Sequence, residues 1–396
     1  MDRSMRIFFS AGEPSGDQHA AHLIAALQRR EPQLQAEGFG GPHMRAENCR
    51  LLFELTTMAV MGFVRVLPMI AKFRRLVIQA EAHFDQSPPD AVVLIDFPGF
   101  NWWIAKAAKR RGIPVYYYLP PQLWAWAPWR IKKVRRFVDH VICGLPFEYD
   151  WYRERGIDCS WVGHPFFDEA ADKQLDVATL NELQTSDRPM LAVLPGSRNN
   201  EVLRNFPVML QTLQQLVEQV PELQVTVGAY RQQHVDLCQE LQQQHAASIK
   251  LDYRIDKTSE VIEAADCCLM VSGSISLELM ARGTPGIVLY RVAPLEKLAA
   301  RFLQTCPYIT LTNLIAGECV MPEFVSAGKP ADDIRQITDW LVENFRQPEI
   351  LAERQQQMRA LADRVAETGA SDRVARLLLD RIRGSEDQST AVESAA

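Results

Sequence analysis

The sequence predicts an α/β fold: two doubly wound, Rossmann-like domains facing each other across a cleft, with C-terminal helices crossing back. Three observations carry that expectation. Short apolar runs alternate with amphipathic stretches in both halves, the pattern of parallel strands wrapped by helices. The 396 residues suffice for two or three domains at roughly 150 residues each. A polar, acidic stretch over residues 166–189 interrupts the alternation and reads as the inter-domain connection. The expected divisions are 1–168, 169–330, a helical segment 331–384 packing back on the first domain or on a partner subunit, and a disordered polar tail 385–396.

In the first half, residues 5–10 read as a strand and 17–30 as a helix with Leu23, Ile24 and Leu27 on one face. Residues 91–95 form a β-branched strand, and 101–111 a helix closed by Gly112 and Pro114. Segments 115–119, 130–137 and 141–145 continue the alternation. After the connection come strands at 190–194, 223–227, 267–271 and 286–289, and helices at 206–220, 234–243 and 277–282.

Composition narrows the function class. Hydrophobic and charged contents of 47% and 23% are those of an ordinary globular protein. Eight cysteines without CxxC pairs fit a reducing, cytosolic compartment. No run approaches the ~20 apolar residues of a membrane span, and the apolar start is too short for a signal peptide, so a soluble or peripheral protein is expected. The net charge of −6 argues against a dedicated nucleic-acid binder. It hides an asymmetry: residues 65–136 hold thirteen Lys/Arg against four Asp/Glu. One cationic face, suited to phosphates or anionic lipid, is the consequence.

Six segments carry candidate chemistry. Ser272-Gly273-Ser274 joins a buried strand to a helix, where small residues and a helix N-terminus suit a pyrophosphate. Glu278, one turn on, is placed to accept ribose hydroxyls, or is a solvated first-turn acid. Gly196-Ser197-Arg198 follows another strand, and Arg198 offers a guanidinium fork to phosphate. In Ser10-Ala11-Gly12-Glu13-Pro14-Ser15-Gly16-Asp17, Glu13 and Asp17 put carboxylates at a strand end, with Asp17 also readable as an N-cap. Asp96, directly after an apolar strand, reads either as a half-desolvated general base or as a helix N-cap, with Asn101 competing for the cap. Glu13 is the second candidate base and His19 the third. Trp124, Trp126 and Trp129 in a Pro-rich loop suit sugar stacking or an acyl groove. Finally, residues 58–76 are apolar with a basic ridge: Met61, Phe63, Arg65, Leu67, Ile70, Lys72 and Phe73 fit a membrane interface. The basic run 130–136 adds to that reading, and a core helix with snorkelling ends is the alternative.

Taken together these segments resemble the lipid-A-disaccharide synthases, inverting transferases of the GT-B class. The resemblance runs from Ser10 to about Val325. It includes AGEPSGD, Gly40-Gly41-Pro42-x-Met44, Ala59-Val60-Met61-Gly62, IDFPGFN, LWAW, Val162-Gly163-His164-Pro165, LPGSR, SGS-x-S-LE and Asn313-Leu314-Ile315-Ala316-Gly317. The chain departs from the family pattern at Thr312, Pro121-Gln122 and Ser274-Ile275, which bears on acceptor and acyl-chain preference. The resemblance implies a reaction in which UDP-2,3-diacylglucosamine donates its sugar to 2,3-diacylglucosamine 1-phosphate, forming a β-1,6 link and releasing UDP. It implies an acceptor- and membrane-facing first domain and a UDP-sugar-binding second one. It also implies Asp96 and Glu13 as catalytic, and Gly196, Ser197, Arg198, Ser272, Gly273, Ser274 and Glu278 on the donor. Ser15, Asp17, Trp124, Trp126 and Asn313 fall to the acceptor and its acyl chains. No metal or cofactor is expected, because charge on departing UDP would be met by Arg198 and helix dipoles. Peripheral contact with the cytoplasmic face of the inner membrane and a homodimer through the C-terminal helices complete the picture. A UDP-N-acetylglucosamine 2-epimerase and a non-catalytic nucleotide-sugar binder on the membrane are the competing readings.

Overall fold

The computed structural model describes residues 4–59, 66–186, 188–294, 296–298 and 305–393, with residues 59, 66–69 and 385–393 described by backbone alone. The chain forms two compact units, Met1–Asp168 with Glu367–Ala396, and Glu169–Ala366.

The first unit is built on seven parallel strands: β1 Arg6–Ala11, β2 Gln35–Gly40, β3 Arg50–Glu54, β4 Ala91–Ile95, β5 Val115–Tyr118, β6 His140–Cys143 and β7 Cys159–Trp161. Their order is β3-β2-β1-β4-β5-β6-β7. Both faces are covered, so the central strand β4, Ala-Val-Val-Leu-Ile, is apolar at every position rather than alternating. Ile7, Phe9 and Ala11 of β1 pack into one cluster with Leu23, Ile24 and Leu27 of the helix Pro14–Arg30. Phe8 points the other way, into a cluster with Leu76, Phe84, Phe100 and Ile104. That second layer is made by the helices Val66–Gln86, Pro98–Lys109 and Ile131–Phe137. Pro68 lies in the first turn of Val66–Gln86, where its missing N–H breaks no bond.

The C-terminal helix Ala370–Glu393 completes the first layer. Val374, Ala375, Leu378, Leu379 and Ile382 join the cluster of β1 and Pro14–Arg30. Asp168 accepts the backbone N–H groups of Gly369 (2.5 Å), Ala370 (3.3 Å) and Ser371 (3.2 Å), tying down the N-terminus. Two expectations are corrected here. Only this last helix belongs to the first unit, whereas Ala331–Arg346 and Pro348–Val365 pack within the second. And the helix runs to Glu393, beyond the start of the expected disordered tail.

The second unit repeats the plan with six parallel strands: β8 Met190–Leu194, β9 Gln224–Ala229, β10 Asp252–Ile255, β11 Cys267–Met270, β12 Gly286–Arg291 and β13 Glu323–Ser326. The order is β10-β9-β8-β11-β12-β13. Its core combines Leu191, Val193, Val227, Cys267 and Leu269 from the strands with Phe206, Leu213 and Ile337 from the helices. The polar connection is not bare loop: it holds the helices Pro165–Asp172 and Val177–Leu183, the latter capped by the Asp176 carboxylate on Ala178 N at 3.0 Å.

In both sheets the strand order reverses direction beside the first strand, at β1/β4 and at β8/β11. The carboxyl ends of strands at such a reversal leave a crevice, which is where open α/β sheets bind ligands.

Candidate active site

At the reversal of the first sheet, β1 runs into Gly12-Glu13 and β4 into Asp96-Phe97. Asp96 and Phe97 both have left-handed backbones, with φ of 43° and 44°. For non-glycine residues each such conformation costs on the order of 1–3 kcal/mol and persists only where the surroundings enforce it. Here they do. The Asp96 carbonyl accepts Tyr117 Oη and Asn101 Nδ2, both at 2.7 Å. Asn101 also donates to Ser10 O (3.1 Å) and Ile95 O (3.2 Å), while its Oδ1 accepts Ser10 Oγ (2.7 Å). One buried amide therefore staples the ends of β1 and β4. Phe97 lies where a Cβ on residue 12 would be, so the glycine is required by the ring packed over it.

Asp96 is not the helix cap: Phe97 is the N-cap residue of Pro98–Lys109, without a side-chain capping bond, and Asn101 lies inside that helix. Burial pushes the Asp96 carboxyl above the ordinary carboxylate value, opposed by the Phe97 N–H and by the charge of His19. Glu13, half-buried, is the N-cap residue of Pro14–Arg30 without a side-chain capping bond. Ser15 is exposed two residues further on. His19 sets its ring edge-on to His164 at 5.9 Å. Desolvation, then His19, pushes His164 down to about 3, so it is a neutral imidazole.

Two acceptor-side expectations in this unit are corrected. Asp17 is neither an N-cap nor open to a ligand. It is fully buried in the helix, and its carboxylate accepts the N–H groups of Gly41 (2.7 Å), His43 (2.9 Å) and Met44 (3.1 Å). It thereby neutralises the N-terminus of the short helix Pro42–Ala46, a charge-assisted structural bond. Trp124 is buried, its indole donating to Glu148 at 3.0 Å, while Trp126 is 49% exposed. Glu148 itself escaped sequence reasoning: the acid follows Leu145-Pro146-Phe147 at a helix start, which reads as an ordinary first-turn acid.

For the membrane-facing set, Met61, Phe63 and Arg65 lie outside the described residues, as does the side chain of Leu67. Ile70 is 55% exposed. Phe73 is half-buried with its ring 5.4 Å from Phe100 and 6.1 Å from Phe97, and so packs inward, contrary to expectation. Lys72 sits over the Phe53 ring at 4.9 Å.

At the reversal of the second sheet, β8 leads through Gly196 to Arg198, the N-cap residue of the helix Asn199–Gln219. Gly196 has φ of 126°, and a Cβ there would meet Glu201 Cβ at 2.6 Å. Glu201 takes the groups expected to hold phosphate: its Oε2 accepts Ser197 N (3.0 Å) and Arg198 N (3.2 Å), and its Oε1 the Arg198 guanidinium (2.8 Å). Next to it, β11 leads to Ser272-Gly273-Ser274 and the helix Ile275–Arg282. Gly273 and Ser274 are exposed, and Ser274 makes no side-chain capping bond. Ser272 Oγ donates to Ile309 O at 2.8 Å.

Glu278 is buried, and its Oε1 pairs with Arg282 at 3.1 Å, itself bound to Glu263 at 2.8 Å. One further expectation is corrected here. Asn313 is fully buried, with every polar atom used: Nδ2 donates to Met321 O (2.7 Å) and Glu323 Oε1 (2.8 Å), and Oδ1 accepts Val320 N (3.0 Å) and Met321 N (2.9 Å). It braces a loop and has no atom left for an acceptor sugar.

The model of the family described as lipid-A-disaccharide synthetase matches residues 7–375. The lipid-A-disaccharide synthase of Myxococcus xanthus is 34% identical over 389 residues, covering 96% of this chain and 98% of the relative. That of Trichlorobacter lovleyi is 33% identical over 386 residues, covering 97% and 99%. The chain belongs to the lipid-A-disaccharide synthase family. Among solved structures, a UDP-GlcNAc 2-epimerase from Neisseria meningitidis bound to UDP-GlcNAc superposes with a TM-score of 0.64 at 12% identity, covering 95% of this chain and 99% of that one. A calicheamicin glycosyltransferase gives 0.59 at 14%, covering 97% of this chain and 99% of that one. These likenesses establish the GT-B fold alone, shared by epimerases and transferases.

Proposed function

We propose that this chain is the hexosyltransferase that moves 2,3-diacylglucosamine from UDP to the 6-hydroxyl of 2,3-diacylglucosamine 1-phosphate, inverting the anomeric centre to give the β-1,6-linked disaccharide 1-phosphate and UDP. Asp96 carries this reading: a desolvated carboxylate at the reversal of the first sheet, presented on a strained turn, in a chain that matches the family over residues 7–375.

Asp96 takes the proton of the acceptor 6-hydroxyl as its oxygen bonds to C1 of the donor sugar. The bond from C1 to the UDP oxygen breaks with its electron pair going to UDP. Attack opposite the leaving group inverts the centre. Arg198 and the backbone N–H groups of Ser272-Gly273-Ser274 meet the diphosphate charge. An exposed i,i+3 pair such as Arg198–Glu201 is worth little, so a diphosphate recruits the guanidinium at small cost. Glu13, at the facing strand end, orients acceptor hydroxyls. We further propose that the enzyme works without a metal, on the cytoplasmic face of the inner membrane. No described helix is long and apolar enough to cross a membrane, and the acylated substrates place the reaction at a bilayer surface.

A positioned base contributes on the order of 10²–10⁴-fold, so Asp96→Asn should lower turnover by that factor while UDP affinity is kept. Glu13→Gln should chiefly raise the acceptor KM. The reverse result, turnover lost in Glu13→Gln and kept in Asp96→Asn, exchanges the two roles.

A further inference from the structure

Asp96 is gripped by its own backbone. Its carbonyl oxygen accepts two side-chain hydrogen bonds, from Tyr117 Oη and from Asn101 Nδ2, both at 2.7 Å. That carbonyl belongs to the planar peptide unit between Asp96 and Phe97, the two residues with left-handed backbones, so holding the oxygen holds the plane on which both conformations hang. Asn101 is oriented in its turn by β1. Its Oδ1 accepts Ser10 Oγ at 2.7 Å, and its Nδ2 also reaches Ser10 O at 3.1 Å. Ser10, Asn101 and Tyr117 are fully buried and come from three elements: β1, the helix Pro98–Lys109 and β5. Burial holds the Tyr117 phenol protonated, so it stays a donor.

A glycine at position 96 would take up this backbone without steric cost, and would carry no carboxylate. The chain instead has an aspartate there and holds its carbonyl with two donors, one of them braced from a further strand. Left-handed non-glycine residues persist where their surroundings over-determine them, and this network is that surrounding. Once the backbone is fixed, rotation about two side-chain bonds is all that remains to place the carboxylate.

We propose that Tyr117 and Asn101, with Ser10 behind Asn101, are positioning residues for the transfer reaction: they hold the Asp96 turn so that its carboxylate meets the acceptor hydroxyl at reacting distance. The inference rests on the reading of Asp96 as the base. All three side chains are buried and act through Asp96, so their loss should show in turnover and leave donor binding alone. A reacting group displaced by about 1 Å can cost on the order of 10²-fold in rate. The loss is bounded by the roughly 10²–10⁴-fold that a positioned base contributes.

Tyr117→Phe is the mildest probe, because it keeps the ring and its edge-on contact with Trp102 at 5.6 Å and removes only the hydroxyl. It should lower kcat roughly tenfold, with acceptor KM and UDP affinity within about twofold of wild type. Ser10→Ala, which leaves Asn101 Oδ1 without its hydroxyl donor, should give a smaller loss in the same direction. Asn101→Ala should give the largest, on the order of a hundredfold; where that variant does not fold, Tyr117→Phe decides.

The test is kcat, acceptor KM and UDP affinity by calorimetry for each variant, with thermal melting, and the Tyr117→Phe change repeated in an Asp96→Asn background. Without the base there is no carboxylate to position, so the second change should alter kcat by less than about twofold there. A side chain that merely supports the fold would lower the melting temperature and leave kcat of the folded enzyme unchanged. Folded Tyr117→Phe with wild-type kcat, a loss confined to KM, or the same fold-loss in both backgrounds overturns the proposal. The Asp96→Asn variant alone separates the two readings. If it keeps turnover, the base assignment has failed; if it is slow while Tyr117→Phe matches wild type, only the present inference has failed.

Discussion

Arg198 binds a carboxylate in the free protein and is expected to exchange it for a phosphate. Its guanidinium is exposed, and its partner Glu201 also occupies the Ser197 and Arg198 N–H groups. Replacing the arginine by alanine should weaken UDP binding by about 1.5–3 kcal/mol, the range for a lost charge-assisted hydrogen bond. Calorimetry on the folded variant measures this, and unchanged affinity would remove Arg198 from the donor site. At this scale the sequence was informative about where polar residues cluster and poor about what each one touches. Asp17 and Asn313 sit in segments that look like binding loops, yet both spend their atoms on backbone. The partners of Asp17 lie at Gly41, His43 and Met44, a distance along the chain that no local pattern reveals.

Among elements, the strand ends that carry chemistry were legible because each follows a continuous apolar run, as buried parallel strands must. The strand β2 was not: Gln-Ala-Glu-Gly-Phe-Gly has neither an apolar run nor β-branched residues, and it forms because β1 and β3 pair with it on either side. The helices Val66–Gln86, Pro98–Lys109 and Ile131–Phe137 cover one face of the first sheet with their inner sides. Outward they present Ile70, Ile78 and Trp103, at 54–57% exposure, among the exposed basic residues Arg74, Arg75, Lys132, Lys133, Arg135 and Arg136. Lys106 stands over the Trp103 ring at 5.7 Å. A face of apolar and aromatic residues set among cations suits an anionic bilayer surface. Serine at Ile70, Ile78 and Trp103 together should release the protein from liposomes containing anionic lipid, at little cost in stability because these side chains are already exposed. Retained co-sedimentation with the liposomes would show that this face is not the docking surface. The Phe73 side chain, once counted with this face, belongs to the core behind it.

Over the whole molecule, two sheets of like strand order each bring candidate residues to the reversal: Glu13 after β1 and Asp96 after β4 in the first, Arg198 after β8 and Ser272 after β11 in the second. The alternation of apolar runs and amphipathic stretches was enough to expect that duplication. The return of a single C-terminal helix to the first unit was not legible, because three amphipathic helices in succession carry no mark of which sheet each will cover. The central claim is the transfer itself. It is tested by incubating the purified protein with UDP-2,3-diacylglucosamine and 2,3-diacylglucosamine 1-phosphate and analysing the products by mass spectrometry. The disaccharide 1-phosphate and UDP should form in equal amounts, and only when both substrates are present. UDP released without disaccharide, or an epimerised sugar nucleotide in its place, would contradict it.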